Sequence, residues 1–171
     1  MKKILLLSDT HSYLDPALEK YVKAADEVWH AGDIGDVKVT DKLKKWRPLR
    51  AVYGNIDGRE VRTEFAKNEI FELEGMKIFM THIGGYPGRY ERGIREEIQA
   101  HRPDIFICGH SHILKVMPDK KYNLIAMNPG AAGHHGFHKI RTCLRFQLNA
   151  GKIEKPEVIE LGMRGRIGKS L

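Results

Sequence analysis

Five times along this chain, a short apolar run of strand length stops abruptly at residues that bind metals. Ile4-Leu5-Leu6-Leu7 runs into Asp9-Thr10-His11, and Glu27-Val28-Trp29-His30-Ala31 into Gly32-Asp33. Arg50-Ala51-Val52-Tyr53 runs into Gly54-Asn55-Ile56-Asp57, Lys77-Ile78-Phe79-Met80 into Thr81-His82, and Ile105-Phe106-Ile107-Cys108 into Gly109-His110-Ser111-His112. Runs this short, bounded by glycine and polar residues, read as buried strands. Amphipathic segments lie between them. One is opened by Asp15-Pro16, with proline at the first helical position, and continues through Leu18, Tyr21, Val22 and Ala25. Others run from Thr40 to Trp46 and from Arg92 to Ala100.

Strands alternating with helices predict an α/β fold around a largely parallel sheet. The pattern changes in two places. Phe71-Glu72-Leu73 and Met76 to Met80 flank Glu74-Gly75, while Arg141 to Leu148 and Lys152 to Leu161 flank Asn149-Ala150-Gly151. Both read as β-hairpins, so antiparallel strands join the parallel ones and mixed sheets are expected.

A chain of 171 residues suffices for one core, and no linker or repeat divides it, so residues 1–171 are read as one domain. With 42% hydrophobic and 30% charged residues, the composition is that of a globular chain, not a disordered one. No apolar run is long enough to span a bilayer. Met1-Lys2-Lys3 imitates the start of a secretory signal, but the apolar run after it ends at Ser8-Asp9, so no membrane association and a cytoplasmic location are expected. The 2 cysteines, Cys108 and Cys143, form no CxxC pair, which fits a reducing compartment.

A net charge of +7 attracts anions. It is dispersed, apart from Lys42-Lys44-Lys45-Arg47 and a tail with Arg164, Arg166 and Lys169. A groove that tracks nucleic acid needs a basic stripe with interleaved aromatics, so a nuclease or other nucleic-acid binder is disfavoured.

In open α/β sheets, ligands bind beyond the carboxyl ends of the strands. The five strand ends deliver Asp9, His11, Asp33, Asn55, His82, His110 and His112 to that edge. All are oxygen or imidazole donors, which suits Mn²⁺, Fe, Zn²⁺, Co²⁺ or Ni²⁺ and disfavours a structural zinc knot. They exceed the needs of one tetrahedral ion. They match two divalent ions roughly 3.5–4 Å apart that share a bridging carboxylate, an arrangement used for phosphate-ester hydrolysis.

The order Asp-x-His, Gly-Asp, Gly-Asn-x-Asp, His, Gly-His-x-His resembles that of the calcineurin-like metallophosphoesterases. It is most similar to their small YfcE-like phosphodiesterase branch, whose relatives include a retromer subunit. The motifs run from Asp9 to His112, and Asn128-Pro129-Gly130 also fits. The resemblance implies a four-layer α/β/β/α sandwich of two mixed β-sheets flanked by helices. It also implies Asp9, His11 and His112 on a first metal, Asn55, His82 and His110 on a second, and Asp33 between them. Mn²⁺ is the first expectation, and Asp33, Asn55 and His82 stand nearest the chemistry. The implied activity is hydrolysis of a small phosphate ester, a diester more readily than a monoester, by direct attack of hydroxide generated at the metals. A homodimer remains an open option.

The better-known phosphatases of this superfamily place histidine after the Asn, and the small branch often has cysteine there. This chain has Ile56, which donates no proton. General acid help is typically worth about 10²–10⁴-fold, so activity is expected to favour leaving groups that need no protonation. Asp57 compensates only if burial keeps it protonated.

Two glycine-rich loops could meet substrate: the one following His82, with Arg89, and the one with His134, His135 and His138, where His134 or His135 could replace the missing acid. Blander readings stand beside these. His30 is structural, His101 caps a helix, Cys108 belongs to the core, and the Lys42 to Arg47 cluster is a solvated face. The alternative from another class is a protein-binding scaffold, as in the retromer relative, and Ile56 is the feature favouring it.

Overall fold

The computed structural model describes residues 1–165, so Arg166 and Lys169 of the basic tail lie outside the described residues. The first half of the chain alternates β1 (Lys2–Leu7), α1 (Leu18–Ala24), β2 (Glu27–His30), α2 (Lys38–Trp46), β3 (Leu49–Ala51) and α3 (Arg59–Glu64). A hairpin of β4 (Asn68–Leu73) and β5 (Met76–Thr81) follows, then a small ribbon of β6 (Gly85–Tyr86) and β7 (Arg89–Tyr90). After α4 (Ile94–His101) come β8 (Ile105–Ile107), β9 (Leu114–Asp119), β10 (Leu124–Pro129), β11 (Ile140–Asn149) and β12 (Lys152–Met163).

Two five-stranded sheets result, ordered β12-β11-β1-β2-β3 and β4-β5-β8-β10-β9. Each has three parallel strands: β1, β2 and β3 in one, β5, β8 and β10 in the other. Their antiparallel partners are β11 and β12 in the first sheet, β4 and β9 in the second.

The continuous apolar runs are explained by burial on both faces. Ile4 and Leu6 point into the layer between the sheets, together with Trp29, Ile78, Met80, Ile105, Ile107 and Phe146. Leu5 and Leu7 point the other way, against Leu18 and Val22 of α1 and Val39 and Leu43 of α2. On the far side, Phe79 and Phe106 meet Ile94 and Ile98 of α4. The layers are therefore helix, sheet, sheet, helix. The Trp29 ring locks the central layer, edge-on to Phe71 and Phe146 with centroids at 5.1 and 5.8 Å. No helix among the described residues is long and apolar enough to cross a membrane.

Both hairpins stand where expected, turned by Glu74-Gly75 and Ala150-Gly151, all four residues at positive φ. The first helix corrects the reading of its start: it begins at Leu18, not at Pro16. Asp15 accepts the Ala17 N–H at 2.8 Å and also pairs with buried Arg141 of β11, so Pro16 belongs to the turn before the helix. Helix α3 and the β9–β10 hairpin carry no clear pattern in the sequence. Six largely polar residues make α3, and β9 is an edge strand exposing Leu114, Val116 and Pro118.

His30 ends β2 in full burial. The Thr10 hydroxyl gives its one proton to the Ile34 carbonyl at 3.0 Å, so it accepts from Nε2–H of His30 at 2.9 Å. Nδ1 of His30 accepts the Gly32 N–H at 3.2 Å. This pair of contacts fixes one neutral tautomer and ties together the loops after β1 and β2. Burial pushes the imidazole pKa down to about 4, against the pull of Asp57, Asp9 and Asp33. An unfolded chain takes up this proton near pH 6.5, so stability is intact above that and falls as pH drops toward 4. Across that window the loss from this one group is about 3 kcal/mol. In urea titrations of chelator-treated protein, His30→Gln should lose about 3 kcal/mol less than wild type on acidification from pH 6.5 to 4. Identical losses would refute the assignment.

Candidate metal centre

The parallel strands of both sheets end at one edge of the sandwich, and the loops there are stitched by backbone bonds. Asp9 N donates to Gly32 O at 2.9 Å, His11 N to Asp33 O at 3.0 Å, Gly109 N to His82 O at 2.9 Å and Gly133 N to Asp9 O at 3.0 Å. Five of the seven donors predicted from the sequence sit in left-handed backbone or at its margin: Asp9 (φ 55°), His11 (44°), Asp33 (54°), His110 (69°) and His112 (60°). Such conformations cost on the order of 1–3 kcal/mol each in non-glycine residues and concentrate at functional sites. Two glycines make room. A Cβ on Gly54 would lie 2.1 Å from Asp33 Oδ1, and one on Gly109 would lie 2.7 Å from Asp9 Oδ2.

The structure gathers the donors into two groups. Asp9, His11 and His112 form one, Asp33, His82 and His110 the other, with the ligating atoms of each within 4.8 Å of one another. Asn55 joins the second through its Oδ1, 3.0 Å from His110 Nδ1. Asp33 lies between them: its Oδ2 is 3.5 Å from His11 Nε2 and 3.2 Å from His82 Nε2.

The supports around these groups leave lone pairs facing inward. Nδ1–H of His82 donates to the Ala31 carbonyl at 2.7 Å, which leaves its Nε2 as the atom able to meet a cation. Asp9 Oδ2 accepts from Ser8 Oγ at 2.6 Å and from His110 N at 3.1 Å, which turns Oδ1 toward the imidazoles. Asp33 Oδ1 accepts the Ile56 N–H at 3.1 Å and leaves Oδ2 similarly directed. His11 Nε2 and His82 Nε2 are buried without a hydrogen-bond partner. Buried polar atoms are otherwise satisfied almost everywhere in proteins, so two orphaned nitrogens beside two carboxylates fit divalent cations.

The electrostatics agree with that fit. Burial alone would raise the Asp9 carboxyl, but the neighbouring imidazoles of His11, His112 and His82 hold it well below the usual range. Asp33 is likewise raised by burial and lowered overall by His82. His82 is pushed down by burial yet raised overall by Asp33 and Asp9. The site attracts positive charge.

The other residues singled out from sequence fall in different places. His135 is exposed with its ring 4.7 Å from that of His11, and His138 lies 5.1 Å from His112. His134 instead packs on Tyr13 at 4.4 Å and bonds the Arg164 carbonyl at 2.5 Å. Arg89 is exposed on the β6–β7 ribbon and joins neither donor group. Asp57 accepts the N–H groups of Ile34, Gly35 and Gly54 at 3.2, 2.8 and 2.7 Å, so it fastens two loops together rather than serving as an acid. His101 ends α4 and pairs with Glu97 at 3.2 Å. Cys108 is buried, its thiol pushed up by burial to about 12, which removes it as a nucleophile.

Sequence reasoning missed the cations beside the site. Arg62, Lys67 and Arg92 line a groove of about 530 Å³ that opens against Asn55 and His82, and Arg89 does not. No local signal marks them, because they come from three segments joined only by the fold.

Comparison with known proteins gives a consistent result. The model of the calcineurin-like phosphoesterase superfamily domain matches residues 1–151. A probable metallophosphoesterase of Mycoplasma pneumoniae is 30% identical over 165 residues, covering 90% of this chain and 94% of that protein. One from Methanothermobacter thermautotrophicus is 26% identical over 133 residues, 74% of each. Among solved structures, an archaeal phosphodiesterase superposes with a TM-score of 0.72 at 23% identity, covering 93% of this chain and 99% of that one. A zinc complex of Entamoeba histolytica Vps29 gives 0.70 at 18% identity, covering 92% and 98%. With its donors in the family order and the family model spanning most of its length, the chain belongs to the calcineurin-like phosphoesterase superfamily.

Proposed function

We propose that this protein is a two-metal phosphoesterase that hydrolyses phosphodiesters more readily than monoesters. The observation that carries the reading is the pair of three-donor groups with Asp33 within reach of both. Asp9, His11 and His112 would hold one ion, Asn55, His82 and His110 the other, and Asp33 would contact both. When bound, such a pair supplies Lewis-acid charge to the phosphoryl group and lowers the pKa of water. The nitrogen and oxygen donors suit Mn²⁺, Fe, Zn²⁺, Co²⁺ or Ni²⁺, and Mn²⁺ is the ion proposed first on the family resemblance.

The chain's own residues set the rest. Asn55 and His110 are exposed and define the open side from which an ester approaches. His82 is held by Ala31 and keeps its orientation whatever the substrate. Ile56 is 47% exposed beside Asn55, and its aliphatic side chain has no proton to give a departing oxygen. An aryl oxide departs without a proton far more readily than an alkoxide, and a diester brings less negative charge than a monoester. The expected reaction is therefore hydrolysis of activated phosphodiesters, acting on small soluble esters in the cytoplasm. The free, buried Cys108 and Cys143 are compatible with that setting.

A protein-binding scaffold is the second reading, and Ile56 is what favours it. The Vps29 neighbours share the fold at 16–19% identity. Against it, every donor position is filled.

With bis(p-nitrophenyl) phosphate as substrate, chelator-stripped protein should be inactive, and Mn²⁺ should restore turnover. Asp33→Asn should lower kcat by about 10² or more, the scale of removing one transition-state contact. Inactivity with every divalent ion, alongside measurable metal binding, would move the chain to the scaffold reading. Ile56→His should raise kcat on alkyl phosphodiesters by about 10²-fold while changing aryl substrates little, and equal gains on both would count against a missing acid.

A further inference from the structure

The groove beside Asn55 and His82 has a chemical bias. One wall comes from the loop after β3 and from α3, the other from the starts of β4 and α4. Arg62, Lys67 and Arg92 reach it from these different elements, and among the described residues none of the three forms an ion pair with a carboxylate.

Arg62 is the most firmly held. Its Nε donates to the Asp57 carbonyl at 2.6 Å, its Nη2 lies 3.4 Å from the carbonyls of Gly54 and Asn55, and its guanidinium packs over the Tyr53 ring at 4.5 Å. Those contacts leave Nη1 unengaged among the described residues. Two carboxylates, Glu91 and Glu97, share the wall on the α4 side, and Glu97 is turned to His101 at 3.2 Å. Three cations thus face two carboxylates, one of them drawn aside toward His101, in a space of about 530 Å³ that suffices for a small ligand. Arginine forks and a lysine ammonium are the side chains that recognise phosphate.

We infer that Arg62, Lys67 and Arg92 bind a second phosphate group of the substrate, so that the ester cut at the metal centre belongs to a molecule carrying a further phosphate. This rests on the phosphodiesterase reading and specifies its substrate class. Recognition is by charge and fork geometry, and the rest of the molecule lies along the groove away from Asn55 and His82.

A matched pair of substrates tests it: thymidine 5′-(p-nitrophenyl phosphate) and its 3′-phosphorylated counterpart, which release the same p-nitrophenolate. Wild-type protein with Mn²⁺ should show kcat/KM about tenfold or more higher for the 3′-phosphorylated compound, the scale of one charge-assisted contact. Lys67→Ala/Arg92→Ala should bring that ratio close to one, while Lys152→Ala at the remote β11–β12 turn keeps it. A wild-type ratio near one, or a ratio that survives the double substitution, overturns the inference. If neither compound turns over with any divalent ion, the phosphodiesterase reading fails and calorimetry still decides the groove. Thymidine 3′,5′-bisphosphate should then bind more tightly than thymidine 5′-monophosphate to wild type but not to the double variant; equal affinities overturn it.

Discussion

Two carboxylates, Asp9 and Asp33, are buried at one edge of this sandwich with imidazoles packed around them. Each raises the cost of ionising the other, and burial adds to it. Such a pair persists only where positive charge is supplied, and His82 stands 3.8 Å from Asp9 and 3.2 Å from Asp33. The backbone around them is bent into left-handed conformations, and glycines are placed where a methyl group would strike a carboxylate. Strain of this kind persists only where the surrounding structure holds it in place, and it concentrates at functional sites. The sandwich can be understood as the rigid frame that keeps these groups from relaxing apart.

The frame was legible in the sequence wherever burial wrote a pattern. The run Ile4 to Leu7 is apolar throughout because its two faces meet two different cores, one between the sheets and one under the helices. The two recognised hairpins turn on Glu74-Gly75 and Ala150-Gly151, where glycine at the second corner marks a tight turn. Where burial is one-sided or slight, the pattern fades. Strand β9 exposes alternate residues at a sheet edge, and α3 is six residues of mostly polar character.

The donor cluster was legible for a related reason. Parallel strands place their carboxyl ends on one edge, so a local motif at each end translates into a shared site. Substrate contacts carry no such rule. Arg89 lies in a loop directly after a donor and yet sits on an exposed ribbon, whereas Arg62, Lys67 and Arg92, dispersed over three segments, line one groove. Their meeting depends on how α3, β4 and α4 pack. His134 and His135 are adjacent in sequence, yet one is engaged by Tyr13 and the Arg164 carbonyl and the other faces His11. One-residue differences in direction within a loop are decided by contacts that no sequence period encodes.

The two sheets divide the donor set unequally. The first contributes Asp9, His11, Asp33 and Asn55 and so every oxygen donor, while the second contributes only imidazoles, His82, His110 and His112. Each three-donor group draws on both sheets, so an ion held there would be a rivet through the seam between them. Anything that binds only the assembled sandwich stabilises it in proportion to the logarithm of its free concentration. On the two-metal reading proposed above, the availability of divalent metal in the surrounding medium would act on two properties at once: how fast an ester is cut, and how firmly the two halves of the molecule stay closed.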